Sequence, residues 1–438
     1  MNEPSAASRR SDGAPHSGAP SATGRGARRS RAWLGGASAL ALAAAVDAAS
    51  FDAKPARFTT ATATKPIRSN VVAPPFGVGA EAWRDSGRGA IRGVTVGPIE
   101  NALHPGVGYG TDACARTLVD VKHMGATWVS FTPFGRAWNG APTGIDPSFE
   151  APFAENRVAI ARAVEQAHAE GLRVMLVPHL WVESGEWRGD IDPGDDAAWQ
   201  RWAAAYRKFV LTWAKIAADA SVDMFSMGVE LRSFVTTVHA PLFSDVIHDV
   251  RAIYPGLLTY AANWDDVERT PILGELDVIG LNAFFPLSLY PNASRAELAR
   301  GGHDVERRVE RLAESWQKPV MFTEIGYTTR EDPAFKPWLW PDTMSHVAID
   351  EQAQADAYTA LVAPLLDAPW FAGFFVWRVF SDPDDVSQEG EWGFSPRGKL
   401  AELVIRDAFH AHWAADGSPP LGDVFAAPKT AYVGGDWR

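Results

Sequence analysis

From Ile91 to His412 the sequence repeats one unit: a short apolar run, then a longer stretch whose apolar residues recur at three- and four-residue steps. The runs Ile91–Gly97, Thr127–Phe134, Leu172–Trp181, Leu257–Asn263, Leu276–Phe285 and Phe371–Arg378 read as buried strands, together with two runs that end at Glu230 and Glu324. Between them, helices are predicted over Asp112–Met124, about 155–170, 196–220 and 241–253, a stretch including Val305–Trp316, and about 351–366 and 400–412. Gly125 and Gly171 stand where the first two should stop. The helix near 196–220 places Trp202, Tyr206, Phe209, Trp213, Ile216 and Ala217 on one stripe, which needs a sheet to cover. Eight strands alternating with helices across about 320 residues predict a single (β/α)8 TIM barrel. A doubly wound open sheet is the competing arrangement. The turn after the first strand has neither GxGxxG nor GxxxxGK, so no phosphate cradle is evident there.

Sequence outside the repeat divides the chain further. Residues 1–50 read as an export signal or low-complexity, disordered leader: basic Arg28-Arg-Ser-Arg31, an apolar run from Ala32 to Val46, then small residues at Asp47-Ala-Ala-Ser50. This order is of bacterial type and implies export to the periplasm or beyond the cell. The apolar run is too short to span a bilayer with ease, so no stable membrane span is expected in the mature protein. The aperiodic Pro- and Thr-containing residues 51–88 read as a linker, 89–413 as the barrel and 414–438 as a C-terminal tail.

Composition then narrows the partners. The 438 residues are 46% hydrophobic and 21% charged, as in a globular enzyme, and the net charge of −12 argues against a nucleic-acid partner. The single cysteine, Cys114, rules out an intramolecular disulfide and lies in a helical pattern where a buried structural role is expected. The 11 histidines form no HExxH motif, and neither a metal nor a cofactor is implied. The 18 tryptophans and 22 phenylalanines suit stacking on the apolar faces of sugars as well as core packing.

In a barrel of this kind the functional groups sit where the strands end. Reading those ends collects His179 and Trp181, Glu230, Asn263 and Trp264, Asn282 with Phe284 and Phe285, Glu324 and Tyr327, and Trp377. Glu230 and Glu324, 94 residues apart, each close an apolar run, where an uncharged residue is the usual choice. Two carboxyls at one mouth are what cleavage of a glycosidic bond requires: one protonates the leaving oxygen, the other attacks the anomeric carbon or activates water. The sequence-based candidates are therefore Glu230 and Glu324 for catalysis. His179, Trp181, Asn263, Trp264, Asn282, Phe285, Tyr327 and Trp377 are the candidates for binding a polysaccharide or oligosaccharide. Asp277 begins its strand and is expected to be structural.

Several segments, Gly228-Val-Glu-Leu231, Leu258-Thr-Tyr-Ala-Ala-Asn263 and Lys318-Pro-Val-Met-Phe-Thr-Glu-Ile-Gly-Tyr327, resemble glycoside hydrolase family 113 within clan A. Gly171-Leu-Arg-Val-Met-Leu-Val-Pro-His179 and Gly373-Phe-Phe-Val-Trp377 add to the likeness, which covers roughly residues 90–380. The resemblance implies a retaining endo-β-mannanase acting on β-1,4-linked mannan or glucomannan. It makes Glu230 the general acid/base and Glu324 the nucleophile, with Trp377 under the sugar and Asn263 and His179 in polar contact. Two positions depart from the clan. Val229 stands where many members have Asn before the acid/base, as is also true of family 113. Phe284 and Phe285 stand where a sixth-strand Tyr often hydrogen-bonds the nucleophile. Phe lacks that hydroxyl, so either another group holds Glu324, with Tyr327 and Tyr260 as the candidates, or the substrate and rate differ from the family norm. The segments Trp338-Leu-Trp340 and Glu391-Trp-Gly-Phe394 follow the seventh and eighth strands, where outer sugar subsites or plain loop packing would both account for them. A glycosidase for another β-linked polysaccharide and a non-catalytic carbohydrate-binding barrel are the alternative readings.

Overall fold

The computed structural model describes residues 82–99, 106–339, 347–384, 389 and 391–417. The proposed leader, most of the linker and the tail, and Trp340 lie outside the described residues. Ten strands occur among the described residues: β1 Ile91–Gly97, β2 Trp128–Phe131, β3 Phe134–Ala137, β4 Arg173–Leu176, β5 His179–Val182, β6 Met224–Val229, β7 Leu257–Asn263, β8 Ile279–Asn282, β9 Val320–Ile325 and β10 Phe371–Phe380. Eight of them, in the order β1-β2-β4-β6-β7-β8-β9-β10, close into one parallel barrel. The predicted (β/α)8 barrel is the observed fold.

Helices connect the barrel strands and end where local chemistry stops them. Thr111, Asp195 and Asp350 each accept a backbone N–H with the side chain at a helix start, and Ser294 forms a reciprocal capping box with Glu297. The helix Asp196–Asp219 buries Trp199, Trp202, Tyr206, Phe209, Trp213 and Ala217 as an apolar stripe. Cys114 is buried within Asp112–His123. Asp277 accepts from the Leu258 N–H at 2.7 Å and pairs with Arg251, which ties the start of β8 to that of β7.

Two of the strands read from sequence are each two strands. Pro133 and Pro178 carry no N–H, so the long runs Thr127–Phe134 and Leu172–Trp181 leave the barrel ladder at those points. Beyond the breaks, β3 and β5 pair in parallel with each other as a separate ribbon, Phe134 opposite His179 and Arg136 opposite Trp181. The folded unit also extends past both expected boundaries. Ala82–Asp85, within the presumed linker, is a helical turn with Trp83 buried and its indole N–H donated to Gly89 at 2.8 Å. In the presumed tail, Asp416 accepts from the Ala90 N–H at 2.7 Å and pairs with Arg92 at 2.7 Å, fastening the entry of β1.

Candidate active site

The end of β6 is shaped by Tyr206, whose buried hydroxyl donates to the Met227 carbonyl at 2.7 Å. A Cβ on Gly228 would lie 2.1 Å from that hydroxyl oxygen, and the φ of Gly228 is +152°, so only glycine fits. Two residues later Glu230 takes a φ of +52°, left-handed backbone that a non-glycine residue adopts at a cost. Its N–H is donated to the Ala261 carbonyl at 2.9 Å, which holds the turn against β7. The Glu230 side chain then meets three donors. Trp187 Nε1 and Arg188 Nη1 donate to Oε2 at 3.1 and 2.9 Å, and Asn282 Nδ2 donates to Oε1 at 3.2 Å.

Glu324 arrives from β9 through a change in register. Leu281 pairs with Phe322 but Asn282 pairs with Glu324, so Thr323 is an extra residue in the ladder. The Thr323 hydroxyl donates to Asn282 Oδ1 at 2.9 Å, which turns the amide nitrogen of the fully buried Asn282 toward the carboxylates. The opposite amide orientation would set its oxygen against the Glu230 carboxylate with no proton between them. Burial, first, and the nearby Glu230, second, push the Glu324 carboxyl up to about 8; Arg188, the Asn282 amide and Arg378 pull against that rise. His179 Nε2 lies 3.3 Å from Glu324 Oε1. Burial and the positive charges of Arg188 and Arg378 lower the His179 pKa well below its usual value, so at neutral pH the ring is uncharged and the contact is polar, not ionic. Neither ring nitrogen has an aligned hydrogen-bond partner among the described residues.

Glu230 and Glu324 open into one cleft of about 710 Å³. Trp181, Asn263, Trp264 and Trp377 also line it, as do Trp187, Arg188, Arg232, Phe284, Trp338 and Phe394. Trp264 stacks on Trp338 with ring centres 5.4 Å apart, and Asn263 Nδ2 donates to Asp265 at 2.7 Å. Arg232 bonds Asp265 and Asp266 and lies 4.4 Å over the Trp187 ring, so the indole that reaches Glu230 is clamped from behind. Among the described residues, no group of three or more His, Cys, Asp or Glu side chains is placed to hold a metal ion.

The chain matches the model of Glycoside Hydrolase Family 113 over residues 104–391, about two thirds of its length. It belongs to that family.

As a member of family 113 the protein is a glycoside hydrolase, and the paired carboxyls of the cleft match that chemistry. A family 113 β-mannanase from Alicyclobacillus acidocaldarius, solved with ManMIm, is 27% identical; the match covers 73% of this chain and 97% of that one, with a TM-score of 0.63. A second family 113 β-1,4-mannanase structure, 22% identical, covers 74% of this chain and all of its own, with a TM-score of 0.64. A family 5 mannosidase from Rhizomucor miehei shares the fold at 12% identity, covering 73% of this chain and 92% of its own, with a TM-score of 0.51. A comparison with curated proteins found no match.

Within this family 113 barrel, four of the sequence-predicted binding residues stand away from the open cleft. His179 and Asn282 are buried against the carboxylates. Phe285 is buried against Trp264 and Phe322. Tyr327 is fully buried, its hydroxyl directed at the Phe285 carbonyl and its ring against Tyr358. The expectation that Tyr327 or Tyr260 holds Glu324 is therefore corrected, because Tyr260 instead accepts the Leu231 N–H at 2.7 Å. Phe284, which has no hydroxyl, lines the cleft and packs on Phe394. Trp187, Arg188 and Arg232 were missed from sequence. The available signal was a Trp-Arg pair in the polar loop that follows the His179 strand, and a cation two residues after Glu230.

Proposed function

We propose that this chain is a retaining glycoside hydrolase that cuts β-1,4-linked mannan or glucomannan internally, with Glu230 as general acid/base and Glu324 as nucleophile. The observation that carries this reading is the meeting of two carboxyls, from strands that are not neighbours in the barrel, around the single amide of Asn282 in one cleft. Glu324 attacks the anomeric carbon while Glu230 protonates the departing oxygen; Glu230 then draws a proton from the water that releases the glycosyl group. At neutral pH the free protein keeps a proton on Glu324, so attack requires that proton to leave. Trp377 gives the sugar an apolar floor, and Trp181 and Trp264 flank it.

The mannan assignment is supported by the Alicyclobacillus acidocaldarius relative, which is named as a β-mannanase. The basic, apolar and small segments of residues 1–50 support export. A panel of β-linked polysaccharides, with products resolved by size, tests the assignment directly. Early release of mid-sized fragments from mannan or glucomannan is the expected result. Intact mannan beside a degraded glucan would replace the substrate. Glu230→Gln and Glu324→Gln should each lower turnover by at least about a thousandfold. Cell fractionation of the full chain tests export.

A further inference from the structure

Five tryptophans of this protein, Trp83, Trp128, Trp202, Trp213 and Trp413, are fully buried. Trp138 and Trp181 instead keep 58% and 46% of their surface exposed; Trp181 lies on β5 and Trp138 directly follows the last residue of β3, in the ribbon that the two prolines split from the barrel. One exposed ring alone would mean little, but Trp181, Phe149, Arg136 and Trp138 touch in sequence beside the cleft, and a gathered apolar patch marks a binding surface. The Arg136 guanidinium lies 5.2 Å from the Trp138 ring centre and 5.1 Å from that of Phe149, and its other side meets Glu183 at 3.1 Å. The Arg136 backbone exchanges two hydrogen bonds with Asp146, at 2.7 and 2.9 Å, which pins the Phe149 segment to the ribbon. Glu150 fixes the base of that segment by accepting from the Phe134 N–H and from Asn156.

Beneath the surface, the buried rings of His179 and Phe134 tie this patch to Trp377. Trp377 lies 5.8 Å from His179, His179 4.8 Å from Phe134, Phe134 5.4 Å from Phe149, and Phe149 6.1 Å from Trp181. Arg136 carries the row on from Phe149 to Trp138. Phe134 and Arg136 are alternate residues of β3, and Trp138 stands at the bend just after the strand's last residue, Ala137. Trp181 lines the cleft and Trp138 lies one step outside it.

We infer that the β3–β5 ribbon carries a distal sugar-binding platform, centred on Trp138 and Arg136, that holds outer units of a β-linked polysaccharide running past Trp181. The inference rests on the glycan-cleaving assignment above. The Trp138 ring supplies the apolar face on which a sugar stacks, and the exposed Glu183 carboxylate and Arg136 supply partners for its hydroxyls. The occupant is a sugar chain because the platform continues a cleft lined by paired carboxyls and tryptophans. A free monosaccharide in the cleft would not reach it.

The test compares the wild type, Trp138→Ala and Trp138→Phe on soluble glucomannan, on manno-oligosaccharides of increasing length and on a short aryl β-mannobioside. With Trp138→Ala, kcat/KM on the polymer and the longest oligosaccharides should fall about tenfold, mainly through KM, with the aryl substrate unchanged. Trp138→Phe, which keeps a ring, should recover most of the loss. Equal kinetics for Trp138→Ala and the wild type at every chain length would overturn the inference, as would an equal loss on the short substrate. Wild-type inactivity on all mannans would count against the substrate assignment alone. Retardation in gels containing each polysaccharide then reads the platform without turnover, and unchanged retardation of Trp138→Ala in every glycan that slows the wild type would again overturn it.

Discussion

Asn282 donates to Glu230 at 3.2 Å from the strand position that pairs with Glu324, so one amide stands between the two carboxyls of the cleft. Its orientation is fixed by the Thr323 hydroxyl, which occupies the amide oxygen. Phe284, packed on Phe394 beside the cleft, has no donor to give, so Asn282 is the donor that the end of β8 supplies to the carboxyls. A hydrogen bond from a buried donor to a charged group is worth about 1.5–3 kcal/mol. Asn282→Ala should therefore reduce kcat/KM roughly 10- to 150-fold. The amide also lowers the Glu324 pKa, so its loss moves the acidic limb of the kcat/KM profile to higher pH. Thr323→Val, which lets the amide turn over, should shift that limb in the same direction, and Thr323→Ser should restore it. A mutant set with lower Tm but an unmoved pH profile would reduce Asn282 to a packing residue.

Stability should respond to the same carboxyl. The folded protein keeps the Glu324 proton up to about 8, whereas an ordinary glutamate releases it near 4.5. Between those values the folded state binds more protons than the unfolded one, so stability falls as pH rises. The contribution is fully present below about 4.5 and is lost as pH passes through about 8. Glu324→Gln carries no ionisable group there. The wild-type Tm should therefore drop relative to that of Glu324→Gln as pH is raised from about 5 to about 9, measured by thermal scans in matched buffers. A constant difference across that range would mean that Glu324 is charged throughout.

The barrel itself was legible because its strands are buried on both faces and its helices show an uncovered apolar stripe. Both patterns survive in a single sequence. The two acids were legible for a related reason: Glu230 and Glu324 interrupt apolar runs at their ends. What sequence did not reveal was the role of groups whose meaning depends on neighbours distant along the chain. Trp187 and Arg188 look like an ordinary loop until the chain folds them onto Glu230, 42 and more residues away. Tyr327 reads as a rim residue because it follows Glu324, yet it is fully buried with its ring against Tyr358. Pro133 and Pro178 are plain in the sequence, but that each ends a barrel strand and opens a ribbon strand depends on a pairing between distant segments; the ribbon leads directly into Trp138.

The turn that presents Glu230 can be tested through Gly228. Its missing side chain makes room for the Tyr206 hydroxyl, which would lie 2.1 Å from an added Cβ and which donates to the Met227 carbonyl. Gly228→Ala must either displace that hydroxyl or bend the strand end, and its φ of +152° adds strain of its own. The expected loss of stability is about 3 kcal/mol, in the range of buried overpacking combined with a broken hydrogen bond. Tyr206→Phe alone should cost about 1 kcal/mol by leaving the Met227 carbonyl short of a donor. Because the two changes act on the same few ångströms, they should not add: in Tyr206→Phe/Gly228→Ala the clash is partly relieved, and the double variant should be more stable than the sum of the single losses predicts. Denaturant titrations of the four proteins measure this coupling. Full additivity would mean that the hydroxyl does not shape the turn, and activity should follow stability only if Glu230 keeps its place when the turn relaxes.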